Sequence, residues 1–372
     1  MIRVIVRPLL PPEPRISARV LPQYLHWQLG RYRERLVSGP GGLGRGRLWV
    51  PELEGEQHNL ILTQFYDSLI PTYGFIGSSQ YAVVGTGSTP PDAAQTGLVA
   101  ETARTNSVPS GESNGIGYVS PGVYDIRRVL EFTEAQVGNK NLTEWGFSPL
   151  STAGANLMTR ELFRDGLGNP IVITPDSDQR LRLIYRYRIT LSPTTPQAVS
   201  VNVNGIGTRT GVFGLTANRY GYNSSGGGFT YAGITFPFWT GTPYGRVYGG
   251  DMFAAECLAK GGDLSSGWTQ GRLEAAYDDA AVSTNYGTNS DFLHNGTKGL
   301  TYLAASGRSR SANILLSSNE WNGTIKSVVL SAGRDSYNAV PTVYLVFDAG
   351  QEITKDNLHK LFIGNWVLTW GP

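Results

Sequence analysis

The chain has 372 residues, 40% of them hydrophobic and 16% charged, which is enough for two cored domains and excludes a charge-rich disordered chain. Its 47 Gly and 21 Pro follow no strict period, which excludes collagen, and a net charge of +2 excludes a strong overall pull toward nucleic acid or anionic membrane. Cys257 is alone, so no internal disulfide forms, and no run of about 18 apolar residues is present to cross a membrane as a helix.

Residues 1–22 hold five prolines and four arginines, a density that forbids a helix and predicts an extended arm. The break at Pro8 and Pro11 is not the basic-then-apolar plan of a secretion signal, so assembly in a cytoplasm is expected. The arm carries Arg3, Arg7, Leu9 and Leu10, which pack on its own domain or on a neighbour. Two strand-like runs follow, Leu25–Val37 and Gly44–Leu53, separated by the turn residues 38–42, and they read as a hairpin. Residues 1–50 contain nine Arg, no Lys and two Glu. The excess is spread along the stretch rather than set on one element, which favours an acidic protein surface over nucleic acid as partner. The docking candidates are therefore Arg3, Arg7, Leu9, Leu10, Arg31, Arg33 and Arg35.

Residues 58–70 predict a helix with an apolar stripe of Ile61, Phe65, Leu69 and Ile70. Tyr81 to Val84 read as a buried strand that ends in a glycine turn. The clearest strand is Arg180–Thr190, with Leu181, Leu183, Tyr185, Tyr187 and Ile189 on one face. Arg180, Arg182, Arg186 and Arg188 lie on the other, expected to be solvated or turned toward a partner. Residues 200–250 hold thirteen Gly and ten aromatics and read as a loop-rich insertion; Phe236, Phe238, Trp239 and Tyr244 are the candidates there for contact with a sugar.

Two stretches repeat one plan. Tyr124 to Thr190 and Ser309 to Trp370 each run strand, Asn/Gly turn, strand, second turn, then Ile-Thr-x-Asp before a long last strand. Ile173-Thr174-Pro175-Asp176 thus matches Ile353-Thr354-Lys355-Asp356, which predicts two similar sheets or two halves of one sandwich.

Catalytic patterns are sparse. His26, His58, His294 and His359 show no metal-type spacing, and Val84-Gly85-Thr86-Gly87 lacks the Gly-Lys-Ser/Thr ending of a phosphate loop. Asp278 and Asp279 are adjacent, so on a strand they point to opposite faces and make a poor acid and nucleophile pair. Asp176 and Asp178 read as turn residues, with Ca²⁺ binding the costlier alternative. No catalytic residue, metal site or cofactor is expected.

The order of signals resembles that of tailed-bacteriophage structural proteins: tail-fibre, collar and decoration proteins. It runs from the hairpin through His58-Asn59-Leu60-Ile61 and Val84-Gly85-Thr86-Gly87-Ser88-Thr89-Pro90. Next come Phe132-Thr133-Glu134 with Trp145-Gly146-Phe147, then Ile171–Thr190, and finally the closing strand Trp366-Val367-Leu368-Thr369-Trp370-Gly371. The likeness covers roughly residues 25–190 and about the last fifty. It departs at Gln64-Phe65-Tyr66-Asp67, where such proteins often carry a Gly-Leu turn, and residues 200–300 match nothing in it.

The resemblance implies a mostly β, antiparallel β-sandwich or jelly-roll-like protein with one short helix and an extended N-terminal arm. It would be a homo-oligomer located in the virion and bound to other virion proteins; from charge and composition, neither nucleic acid nor membrane insertion is expected. The expected organisation is a docking arm and hairpin (1–53), a β-sandwich (54–199), an insertion or second β region (200–300) and completing strands (301–372). The alternative is a receptor-binding fibre that recognises host surface glycan through residues 200–250.

Overall fold

The computed structural model describes residues 11–39, 42–215, 229–236, 250–264, 272–278, 297–333 and 340–372. Strands dominate and pair mainly antiparallel. In the first half they are β1 Arg15–Gly39, β2 Gly42–Gln57, β3 Leu60–Ile61, β4 Tyr81–Gly85, β5 Glu101–Thr105, β6 Gly115–Ser120, β7 Val123–Phe132, β8 Glu144–Ser148, β9 Thr159–Leu162 and β10 Arg180–Ser192. The helices α1 Ile70–Gly77 and α2 Glu134–Val137 lie among them.

The second half contains β11 Gln197–Val203, β12 Gly207–Leu215, β13 Phe229–Tyr231, β14 Ile234–Phe236, α3 Gly250–Lys260, β15 Arg272–Asp278, β16 Thr297–Gly299 and β17 Thr301–Tyr302. It ends with β18 Ser309–Leu316, β19 Gly323–Ile325, β20 Ser327–Gly333, β21 Val340–Phe347, β22 Ile353–Lys355 and β23 Leu361–Gly371.

The alternation along β10 decides its place. Leu181, Leu183, Tyr185, Tyr187 and Ile189 are all fully buried. Among them Tyr185 meets the β5-β4-β8-β9-β3 sheet, stacking on Phe147 of β8 at 4.6 Å between ring centroids, and Tyr187 donates to Phe75 O of α1. Trp27 of β1 meets Phe163 edge-on at 6.1 Å across the same interior. Such ring pairs contribute about 0.5–1.5 kcal/mol each beyond the area they bury. The arginines on the outer face of β10 are not left to solvent. Arg188 pairs with Asp125, and Arg180 and Arg182 pair with Glu131, all across the ladder to β7.

The two halves repeat one set of pairings, further than the sequence echo reaches. β7 with β10 corresponds to β18 with β23, and β6 with β7 to β17 with β18. β8 with β9 corresponds to β20 with β21, and β4 with β5 to β15 with β16. β4 with β8 corresponds to β15 with β20, and β3 with β9 to β12 with β21. Even the bridge between Leu142 and Ile173 has its counterpart in β19 with β22, where Ile325 faces Ile353. The shared Ile-Thr-x-Asp is thus the point where each half closes before its long last strand. One hydrophobic core runs through both halves.

Several expectations change. From Arg15 on, the expected arm of residues 1–22 is instead a central strand, β1, between β10 and β23, in which Ile16, Ala18, Val20, Leu25, Trp27 and Leu29 are buried. Pro22 is accommodated at a register shift rather than ending the strand. The helix begins later than predicted: Ile61 lies in β3, and a π-helical turn over Phe65–Leu69 runs into α1. In place of one short helix the described residues contain that turn and three helices. The region 200–300 supplies β11, β12, α3 and β15, which take the places in the second half that β1, β2–β3, α1 and β4 hold in the first.

A projecting arginine-rich ribbon as the candidate functional site

The two hairpins that open the halves differ. β11 and β12 turn tightly over 204–206, with Val203 paired to Gly207. Val203 also faces Ile363 near the start of β23. At the matching place in the first half, Gly30 faces Arg180 at the start of β10, but β1 does not turn. It runs on to Gly39, and β2 returns from Gly42, so that Arg31–Gly39 and Gly42–Val50 form a two-stranded ribbon beyond the sheet. Alternating β-compatible residues hold each strand extended, as far as the facing pair Gly39 and Gly42.

The register sorts the side chains. Tyr32, Glu34, Leu36, Arg45, Arg47 and Trp49 share one face, and Arg31, Arg33, Arg35, Leu48 and Val50 share the other. Leu36 is 71% exposed and Leu48 44% exposed, so neither face is covered. At the root, Arg31 pairs with Glu52, Asp176 and Asp178, and Arg33 pairs with Glu52 at 2.7 Å. Hydrogen bonds from Gln179, Arg33 and Arg31 hold the Glu52 carboxyl down to about 2. Asp176 and Asp178 thus help anchor the ribbon through Arg31. Toward the tip the arginines loosen: Arg45 reaches Glu34 only at 3.7 Å, and Arg35 has no ion-pair partner among the described residues.

A cleft of about 410 Å³ opens at the root on the Tyr32 face, lined by Tyr32, Arg47, Glu131, Thr133, Arg180 and residues 107–110. The guanidinium groups of Arg47, Arg180 and Arg182 lie within 5.5 Å of the Tyr32 ring centre, and that of Arg182 lies 3.9 Å over Trp49. The capping box of Thr133 with Gln136 starts α2 at the rim of this cleft.

A second polar cluster joins the halves and is buried. The Glu256 carboxylate of α3 accepts from Phe75 N at 2.8 Å and from Ile76 N at 3.2 Å. These donors are freed by a break at Gly74, whose φ of 78° suits glycine and where a Cβ would lie 2.1 Å from Glu256 Oε1. Burial pushes the Glu256 carboxyl up to about 8, against the pull of those N–H groups and of Lys260. Burial likewise pushes Asp251 up to about 6, while a short hydrogen bond from Tyr124 pulls it down. Arg128, fully buried, donates to Ile76 O, Ala232 O and Ser79 Oγ. Glu256 thus ties α3 to α1, Asp251 ties α3 to β7, and Arg128 ties β7 to the end of α1.

Of the residues singled out from the sequence, Arg31, Arg33 and Arg35 share one face of the ribbon, while Arg3, Arg7, Leu9 and Leu10 lie outside the described residues. Phe236 ends β14, and Phe238, Trp239 and Tyr244 lie outside the described residues, as does Asp279. Arg47, Tyr32 and Trp49 are the site residues that sequence reasoning missed; the register opposite Tyr32 to Glu34 was their signal. Among the described residues no group of three or more His, Cys, Asp or Glu is placed to hold a metal ion. No helix among them is long and apolar enough to cross a membrane. Comparison with known proteins finds no matching family model, no matching curated protein and no matching solved structure.

Proposed function

We propose that this chain is a non-enzymatic structural component of a tailed bacteriophage particle, a tail-fibre, collar or decoration protein, that docks onto another virion protein through the β1–β2 ribbon. The single observation that carries the docking is the unequal pair of hairpins. The second half closes with a three-residue turn, so the repeated framework has no need of the ribbon. A charged, solvent-facing extension that the framework does not need is a surface for a partner. The phage setting rests on the ordered sequence signals from the hairpin to the closing strand.

The test is a trim. Replacing residues 33–48 with Asn-Gly joins the facing pair Tyr32 and Trp49 by a two-residue turn suited to a hairpin. Full-length chain is expected to co-purify with particles, and the folded trimmed chain to remain in the free fraction. Particles that lack the full-length chain contradict the virion role, and particles that retain the trimmed chain contradict docking through the ribbon.

A further inference from the structure

We infer that the free edge of β1 between Tyr32 and Val37 takes up an extended strand of a partner protein that carries Asp or Glu at alternate positions. This rests on the docking reading above and names the chemistry of the partner. β10 stops opposite Gly30, and from Arg31 onward that edge of β1 has no strand beside it among the described residues. An unpaired edge presents a row of N–H and C=O groups that a further strand satisfies.

The two edges of the ribbon are not equivalent. Just past Val50, where it leaves the ribbon, β2 meets Pro51, which lacks an N–H, and a register shift that leaves Glu52 unmatched. Within the ribbon, Gly44–Val50 of β2 is as free of proline and as unbroken in register as Arg31–Val37 of β1. It is the β1 stretch that runs on beyond β10, whose Arg180 lines the cleft with Tyr32. The same stretch rejects its own kind. Two copies paired antiparallel about Arg33 would set Arg31 opposite Arg35 and Arg33 opposite Arg33, and like charges directly opposed destabilise a ladder. Arg35, which has no ion-pair partner among the described residues, and Arg33, which shares Glu52, therefore favour carboxylates spaced two residues apart. On the other face the cleft bounded by Tyr32, Arg47 and Arg180 receives the intervening side chains of the incoming strand.

The test uses the full chain and two labelled heptapeptides of one composition, Thr-Glu-Val-Glu-Val-Glu-Thr and Thr-Val-Glu-Glu-Glu-Val-Thr, read by fluorescence anisotropy. Amide exchange at Tyr32–Val37 is followed in parallel. The alternating peptide is expected to bind about tenfold or more tightly than its isomer and to slow exchange along that edge. The variant carrying Arg33→Glu and Arg35→Glu is expected to lose this peptide and to take one with Lys in place of Glu. Equal affinity for the two isomers, unchanged exchange at the edge, or no binding overturns the inference. Should the trimmed chain stay out of particles while the peptides fail to bind, the edge reading alone falls. Should the trimmed chain enter particles, the docking reading falls with it.

Discussion

The β1–β2 and β11–β12 hairpins occupy the same position in a repeated framework, and one of them ends where the other continues. Val203 and Gly207 close the second hairpin directly beside the start of β23. Past the start of β10, the first hairpin instead extends through nine residues of β1 and returns. Its root is tied by Arg31 to Glu52, Asp176 and Asp178, whereas toward its tip Arg35 and Leu36 are exposed. What the comparison teaches is that one strand serves two environments: residues up to Gly30 build the core, and those beyond it build a surface.

The largest effects fall on the framework. Glu144 and Arg160 are both fully buried and paired at 2.7 Å, and Glu144 also accepts from Gly87, Val99 and Ala100. Glu144→Ala strands a buried guanidinium and is expected to cost about 3–5 kcal/mol in urea unfolding. Next is the contact between the halves. With its carboxyl at about 8 when folded and near 4.5 when unfolded, Glu256 binds its proton more tightly in the fold. Stability therefore falls as pH rises from 4.5 to about 8, by a few kcal/mol, and levels off above that. Glu256→Gln is expected to flatten this slope in thermal melts across the window.

Smaller effects separate the two hairpins. Gly205 sits at φ 84° in the tight turn, so Gly205→Val is expected to cost about 1–2 kcal/mol. A Cβ at Gly44 of the ribbon meets nothing within 4 Å, so Gly44→Val stays within about 0.5 kcal/mol of the parent. Smallest on stability is Arg35→Ala, also within about 0.5 kcal/mol by the same melts, with weakened retention on particles.

The sequence carried the parts of this arrangement that are local. The alternation of Arg180–Thr190 and the turn near 38–42 were legible because period and turn chemistry act over a few residues. The echo was legible because Ile173 and Ile353 close equivalent ladders. The central place of β1 was hidden by Pro14 and Pro22, which local rules read as an arm, and which neighbours on both sides override. α3 was hidden because residues 251–259 are buried all around and show no polar face. That Asp176 and Asp178 anchor Arg31 depends on a contact across 145 positions or more, which no local pattern reports.

The central claim, that the framework is complete without the ribbon and the ribbon exists for a partner, is tested most directly on the chain with residues 33–48 replaced by Asn-Gly. Calorimetry and particle retention are measured on one preparation. The account predicts a single unfolding transition within about 1 kcal/mol of the full-length chain, together with loss from particles. A trimmed chain that unfolds far earlier would contradict it, because the ribbon would then belong to the fold.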